Sequence, residues 1–242
     1  MIYYVPQLRP AVTGTSGLLA RLFGKRGEAE APPAERLGGL PWGLPSELWP
    51  RCAECGGSQS LIAQFRHHAE RLPLGGDGRM LFVFQCNHDP GMCETWDQDS
   101  GANAAFIVEP EALGQAESTV PADAPPPDPA MLVTGWEAQE DGLTPEQSAA
   151  FFSEAGMETL DDDVLDQERH DGTQLLGVPC WIQSPDEAPR GWRFLGQIGS
   201  YYLSEDNYLD AHNFGDGGIA YLFAAEAPEG GIPQVKMFWQ CG

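Results

Sequence analysis

Apolar residues fall in short, dense runs of strand length, and two sets of these runs recur in the same order. In the first set Ser60-Leu-Ile-Ala-Gln-Phe65 is followed by Met80-Leu-Phe-Val-Phe-Gln85 and then Ala104 to Val108, each bounded by Gly, Pro, Asn or Asp. The second set has Arg193-Phe-Leu-Gly-Gln-Ile198, Gly217-Gly-Ile-Ala-Tyr-Leu-Phe223 and Val235-Lys-Met-Phe-Trp-Gln-Cys241. Gly38-Gly-Leu-Pro-Trp42 opens the first set and Leu176-Gly-Val-Pro-Cys-Trp181 the second, with matching blocks roughly 135 residues apart. Met80 to Phe84 is apolar at every position, which predicts a central strand covered on both faces. The pattern therefore predicts a β-rich α+β fold. Two tandem related β units merge into one body with a few peripheral helices.

The units are residues 38–108 and 172–242, separated by an acidic helical insert over 109–171. That insert holds 17 acidic residues against one basic residue, Arg169. Pro125-Pro-Pro-Asp-Pro129 in it must be extended, whereas Thr144-Pro-Glu-Gln147 reads as a capping box with proline at the first helical position. The helix it opens carries Ala149, Phe151, Phe152 and Ala155, and Gly156 suits its end. Asp161-Asp-Asp163 lacks the glycine and terminal glutamate of a calcium loop and reads as a solvated surface. Residues 1–37 read as a leader, in which Leu18 to Arg26 suits two helical turns.

Charge narrows the function. A formal net charge of -23 with only 13 Lys and Arg argues against a phosphate-backbone partner or an anionic membrane. It favours a basic protein partner, against the plainer reading of solubility or salt adaptation. No run approaches the roughly 20 apolar residues that span a bilayer. With Pro6, Arg9 and Pro10, the N-terminus lacks a secretory apolar core, so the expected location is cytoplasmic, where thiols stay reduced or bind metal.

Cys52, Cys55, Cys86 and Cys93 form a C-x2-C-x30-C-x6-C pattern. Two residues between Cys52 and Cys55 let both thiolates face one ion, and Gly56 permits the positive φ of such a turn. Four thiolates make a closed structural zinc site, with His88 able to replace one of them. Ordinary thiols and a Cys52–Cys55 redox pair are the alternatives, although Cys55-Gly-Gly-Ser is a poor helix start for a redox motif. Cys180 and Cys241, each near a tryptophan, read as buried apolar thiols. Gln64 and Gln197 occupy matching places among apolar neighbours and either cross-link backbone or bind a ligand. With Trp181 and Trp239 they are the candidate binding residues. His67-His68 and His212 lack spaced partners, and no nucleophile elbow, phosphate loop or paired-carboxylate motif is present.

These blocks, together with Trp49-Pro50, Gly177-Val-Pro-Cys-Trp-Ile-Gln183, Phe194-Leu-Gly-Gln197, Gly215-Asp-Gly217 and Trp239-Gln-Cys241, resemble the YwqG-like family of bacterial proteins. They cover most of residues 38–242 apart from the acidic insert. The first set is more distantly similar to relatives of programmed cell death protein two, which act as ribosomal-protein chaperones. The resemblance implies a β-rich α+β fold and, for some members, a role as immunity proteins encoded beside toxins. It supplies no agreed catalytic residues, and the second set here lacks the cysteines. The expectation is a non-enzymatic protein-binding module, an immunity protein neutralising a basic toxin. The alternatives are a chaperone for a basic, ribosomal-type protein and an enzyme with a cleft between the two halves.

Overall fold

Each predicted apolar run becomes a strand in the computed structural model, which describes residues 1–11, 35–89, 92–200 and 212–242. In chain order the strands are β1 (Ile2–Pro10), β2 (Arg36–Leu37), β3 (Ser60–Arg66), β4 (Met80–Gln85) and β5 (Asn103–Val108). They continue with β6 (Met131–Glu140), β7 (Gln174–Leu176), β8 (Arg193–Gly199), β9 (Ile219–Ala224) and β10 (Val235–Gln240). All join one ten-stranded sheet in the order β10-β9-β8-β7-β1-β6-β2-β3-β4-β5. Every neighbouring pair is antiparallel. The outer strands β5 and β10 lie against each other, so the sheet curls into a nearly closed barrel with a seam there.

Strand alternation divides the side chains between two environments. Leu81 and Val83 of β4, with Leu222 and Ala224 of β9, face the shared interior alongside Leu37, Phe65, Leu175, Leu195 and Met237. The opposite face of β4, Met80, Phe82 and Phe84, is covered by Leu44 and Trp49. Ile219, Tyr221 and Phe223 of β9 are covered by Trp181 and Trp192. Both faces of β4 are buried, as its uninterrupted apolar run predicts.

The two halves of the sheet share details of layout. Register slips between Leu61 and Ala63 in β3 and between Phe194 and Gly196 in β8. Gln64 stands opposite Arg36 and Phe82, and Gln197 opposite Gln174 and Tyr221. At the centre the order is crossed: β6 lies beside β2, and β1 beside β7.

Two expectations are corrected. Residues 2–10 are a nine-residue strand rather than part of a leader. Pro6 fits because β7 meets β1 only at Tyr3 and Tyr4, so at Pro6 one edge of β1 needs no ladder donor. The acidic insert contributes β6, whose Met131, Leu132 and Val133 are buried while much of the remainder is not. The predicted helix over Leu18 to Arg26 lies outside the described residues.

The β-rich expectation holds, whereas the described helices are short: α1 (Pro145–Ala150), α2 (Glu154–Met157) and α3 (Asp162–Leu165). Thr144 and Gln147 form the predicted capping box on α1. Gly156 does not end that helix. It lies inside α2, which Ser153 caps separately. Among the described residues no helix is long and apolar enough to cross a membrane.

Gly218 marks the entry to β9. A Cβ there would stand 1.8 Å from the Phe214 carbonyl oxygen and 2.7 Å from that of Gln240. Both obstacles are backbone, so neither can rotate away. Gly218→Ala is expected to cost about 3 kcal/mol or more, measured by denaturant unfolding. An unchanged midpoint would contradict this close approach.

Candidate functional site

The four-cysteine pattern closes into one cluster. Cys52 and Cys55 lie on the turn before β3, Cys86 follows the last residue of β4, and Cys93 lies on the loop toward β5. Gly56 adopts φ +74°, and its amide donates to the Cys52 carbonyl at 2.9 Å. The Cys52 amide in turn donates to the Gly57 carbonyl at 2.8 Å. The Cys86 amide donates to the Ala102 carbonyl at 2.8 Å, and the Ala53 amide to that of Gly101 at 3.0 Å, which fastens both halves of the cluster to the segment leading into β5.

The sulfurs of all four cysteines lie within 4.8 Å of one another. Cys86 Sγ is 3.6 Å from that of Cys55 and 3.9 Å from that of Cys93. Four sulfurs held about 2.3 Å from a central zinc stand about 3.8 Å apart. The spacing fits that tetrahedron and is far too long for a disulfide. Cys52, Cys86 and Cys93 are buried, and Cys55 is exposed. Burial pushes the Cys86 thiol far up and that of Cys93 to about 11. A hydrogen bond from the Gly57 backbone lowers Cys55. His88, the reserve ligand of the sequence reading, is turned away: its Nε2 meets the Ser58 carbonyl at 3.0 Å.

The matching place in the second half carries no thiol. Ala225 follows β9 as Cys86 follows β4, and its amide bonds Gln234 at 2.9 Å. Cys180 and Cys241 are half-buried and stand outside the cluster. Burial raises the Cys180 thiol.

Gln64 and Gln197 are fully buried and committed to backbone. Gln64 Oε1 accepts from the Trp42 amide at 2.8 Å, and its Nε2 donates to the Trp42 carbonyl at 3.0 Å. Gln197 Oε1 accepts from the Cys180 amide at 2.8 Å, while its Nε2 donates to His170 and Gly172 carbonyls, each at 2.9 Å. Each pins the Pro-containing loop that covers its half, as the cross-linking alternative expects. Gln197→Leu leaves three part-buried backbone groups without this partner and is expected to cost about 2–4 kcal/mol, read by chemical denaturation. A loss below about 0.5 kcal/mol would mean that water replaces the amide. Trp181 packs on Tyr221, Phe223 and Phe238 and donates to the Phe151 carbonyl at 2.7 Å, which makes it part of the outer core.

Trp239 leads to a feature the sequence reading missed. It lines a cleft of about 620 Å³ at one end of the seam with Trp96, Asp97, Gln98, Glu187 and Gln240. Trp96 lies three residues beyond Cys93, so the cluster holds the loop that carries it. The Trp239 amide donates to the Trp96 carbonyl at 3.3 Å, and its indole nitrogen to Thr95 Oγ1 at 3.3 Å. The two indoles meet edge to face, with centroids 6.1 Å apart and planes at 81°. Buried Gln240 donates through Nε2 to Glu187 Oε2 at 2.8 Å and holds that carboxylate at the rim. The titrating groups of the lining are carboxylates and the Cys241 thiol, with no nucleophile paired to a base. Trp96 alone offered a sequence signal, as an aromatic amid polar residues. Glu187 and Gln240 become neighbours through the fold.

No protein-family model matches the chain, and no curated protein matches it.

Proposed function

We propose that the chain is a non-enzymatic binding module, held together at one end by a structural zinc ion, that engages a basic protein through its acidic surface. The observation that carries this reading is the charge of -23 combined with where the cations go. Arg36, Arg71 and Arg79 pair with Glu117, Glu35 and Glu109, while Arg51 and Lys236 pair with Asp123 and Asp99. Arg169 and Arg193 donate to backbone carbonyls. The remaining carboxylates far outnumber the exposed Arg9, Arg66 and Arg190, and the net negative field speeds the encounter with a cationic surface.

Cys52, Cys55, Cys86 and Cys93 would hold the zinc. Four thiolates fill its coordination and leave no position for a reacting water, so the ion fastens loops. Reduced thiols beside such an ion suit a cytoplasmic protein. The shared register slips, matching glutamines and ordered sequence blocks support an origin by tandem duplication and membership of the YwqG-like family. Within that family the leading reading is an immunity protein that neutralises a basic toxin. A chaperone for a basic, ribosomal-type protein is the alternative.

Affinity capture from the native host, followed by association kinetics with the captured protein, tests the reading. The expected partner is basic, and its association rate falls steeply between about 50 and 200 mM salt as screening shortens the field. A salt-independent rate would remove the acidic-surface argument, and a catalytic turnover would replace it.

A further inference from the structure

We propose that the seam cleft is the subsite for an arginine side chain of the basic partner; this rests on the binding of a basic protein proposed above and assigns it a place. Trp96 is 43% exposed although it anchors a loop, so its indole face is offered to solvent. Trp239, nearly perpendicular to it, forms the second wall. Around this aromatic corner the charged groups are carboxylates. Glu187 has one carboxylate oxygen fixed by Gln240, and its other oxygen has no hydrogen-bond partner among the described residues. The Asp97 Oδ1 takes the Asp99 amide at 2.7 Å, and Oδ2 has none. Gln98 donates through Nε2 to the Glu187 carbonyl at 3.2 Å and so braces the segment that carries the carboxylate. No lysine, arginine or histidine contributes to the lining.

A cleft walled by indoles and supplied with acceptors but no cation selects a planar, donor-rich cation. A guanidinium meets each demand: it stacks on an indole face, carries five donors in a fixed fork and stays charged. A carboxylate held by one oxygen is oriented to receive that fork with the other. An ammonium has the charge without the plane, so arginine is favoured over lysine. The volume accommodates the side chain with neighbouring residues of its chain. Because Cys93 and Trp96 share one loop, the proposed zinc sets the position of one wall.

Calorimetric titration of the metal-replete, full-length protein tests this with a Gly/Ser peptide carrying one arginine, the same peptide with neutral citrulline, and one with lysine. Indole resonances report which tryptophans respond. The arginine peptide is expected to move the Trp96 and Trp239 signals. Citrulline, Trp96→Ala and Glu187→Gln are each expected to weaken binding by about tenfold or more, and lysine by a smaller factor. Arginine binding that survives both substitutions would overturn the cleft while leaving the acidic-surface reading in place. No binding of the arginine peptide, or equal binding of citrulline, would also overturn it. Free argininamide binding as tightly as the peptide would make this a small-molecule site instead. A captured partner whose association ignores salt would remove the underlying reading itself, and this subsite with it.

Discussion

Cys86→Ser is expected to abolish binding of the proposed zinc and lower the melting temperature by on the order of 10 °C. Cys86 is 2% exposed and touches the sulfurs of both Cys55 and Cys93. A serine hydroxyl is shorter and a poor zinc donor, so three thiolates would be left around an incomplete tetrahedron. The loss should be local. Loops 52–57 and 86–102 lose their common anchor, while the sheet keeps its own ladders and core. Far-UV dichroism should therefore stay close to that of the parent as elemental analysis falls from the one zinc per chain expected of the parent. In the metal-free cluster burial holds the Cys93 thiol protonated at neutral pH, its pKa pushed up to about 11. Zinc uptake consequently releases protons, and retention weakens on acidification. Cys180→Ser, outside the cluster, should keep the metal. Parent protein carrying less than about 0.2 zinc per chain after gentle purification would reject a tightly held ion.

The elements most legible in the sequence are those whose two faces are both covered. Runs such as Met80 to Phe84 and Ile219 to Ala224 are apolar throughout because interior and outer layers each demand it. The cysteine cluster was legible for a different reason: two-residue spacing of thiols followed by glycine is rare without a shared purpose. β1 and β6 hid because each is buried only in part. Pro6 and Pro10 in β1 lack the ladder donor that strand residues supply, and the burial that identifies β6 is confined to Met131, Leu132 and Val133. β2 was invisible at two residues, since its pairing depends on neighbours far away in sequence. The seam cleft depends on three separated segments meeting. Spacing along the chain carries no trace of such a meeting.

Arg79→Ala is expected to lower the melting temperature by about 5–15 °C and to loosen the seam at the end opposite the cleft. Arg79 is 5% exposed, and all five guanidinium N–H groups are engaged. Nε and Nη2 donate to the two oxygens of Glu109 at 2.9 and 2.7 Å, a bidentate pair. Nη1 donates to the carbonyls of Leu74 at 3.0 Å and Gly231 at 2.7 Å, and Nη2 also to that of Gly230 at 2.8 Å. One side chain at the start of β4 thereby holds the turn before β10, across a junction where β5 and β10 share no ladder. Alanine would leave three carbonyls and a carboxylate to water, with an opening where the guanidinium lay. Lysine cannot substitute, because it offers three donors without the planar fork. The pH dependence has a defined sign. The hydrogen bond to Arg79 holds the Glu109 carboxyl below its usual range, so its contribution is complete above the unfolded value of about 4.3 and is lost as pH falls through the lower folded value. The gap in stability between parent and Arg79→Ala should be constant near neutrality and narrow in acid below about pH 4. Hydrogen exchange locates the effect: faster exchange at the amides of 230–236 with unchanged protection in β1 and β6 is the expected pattern. Uniform acceleration across the sheet would instead make Arg79 a support of the whole barrel rather than a latch on its seam.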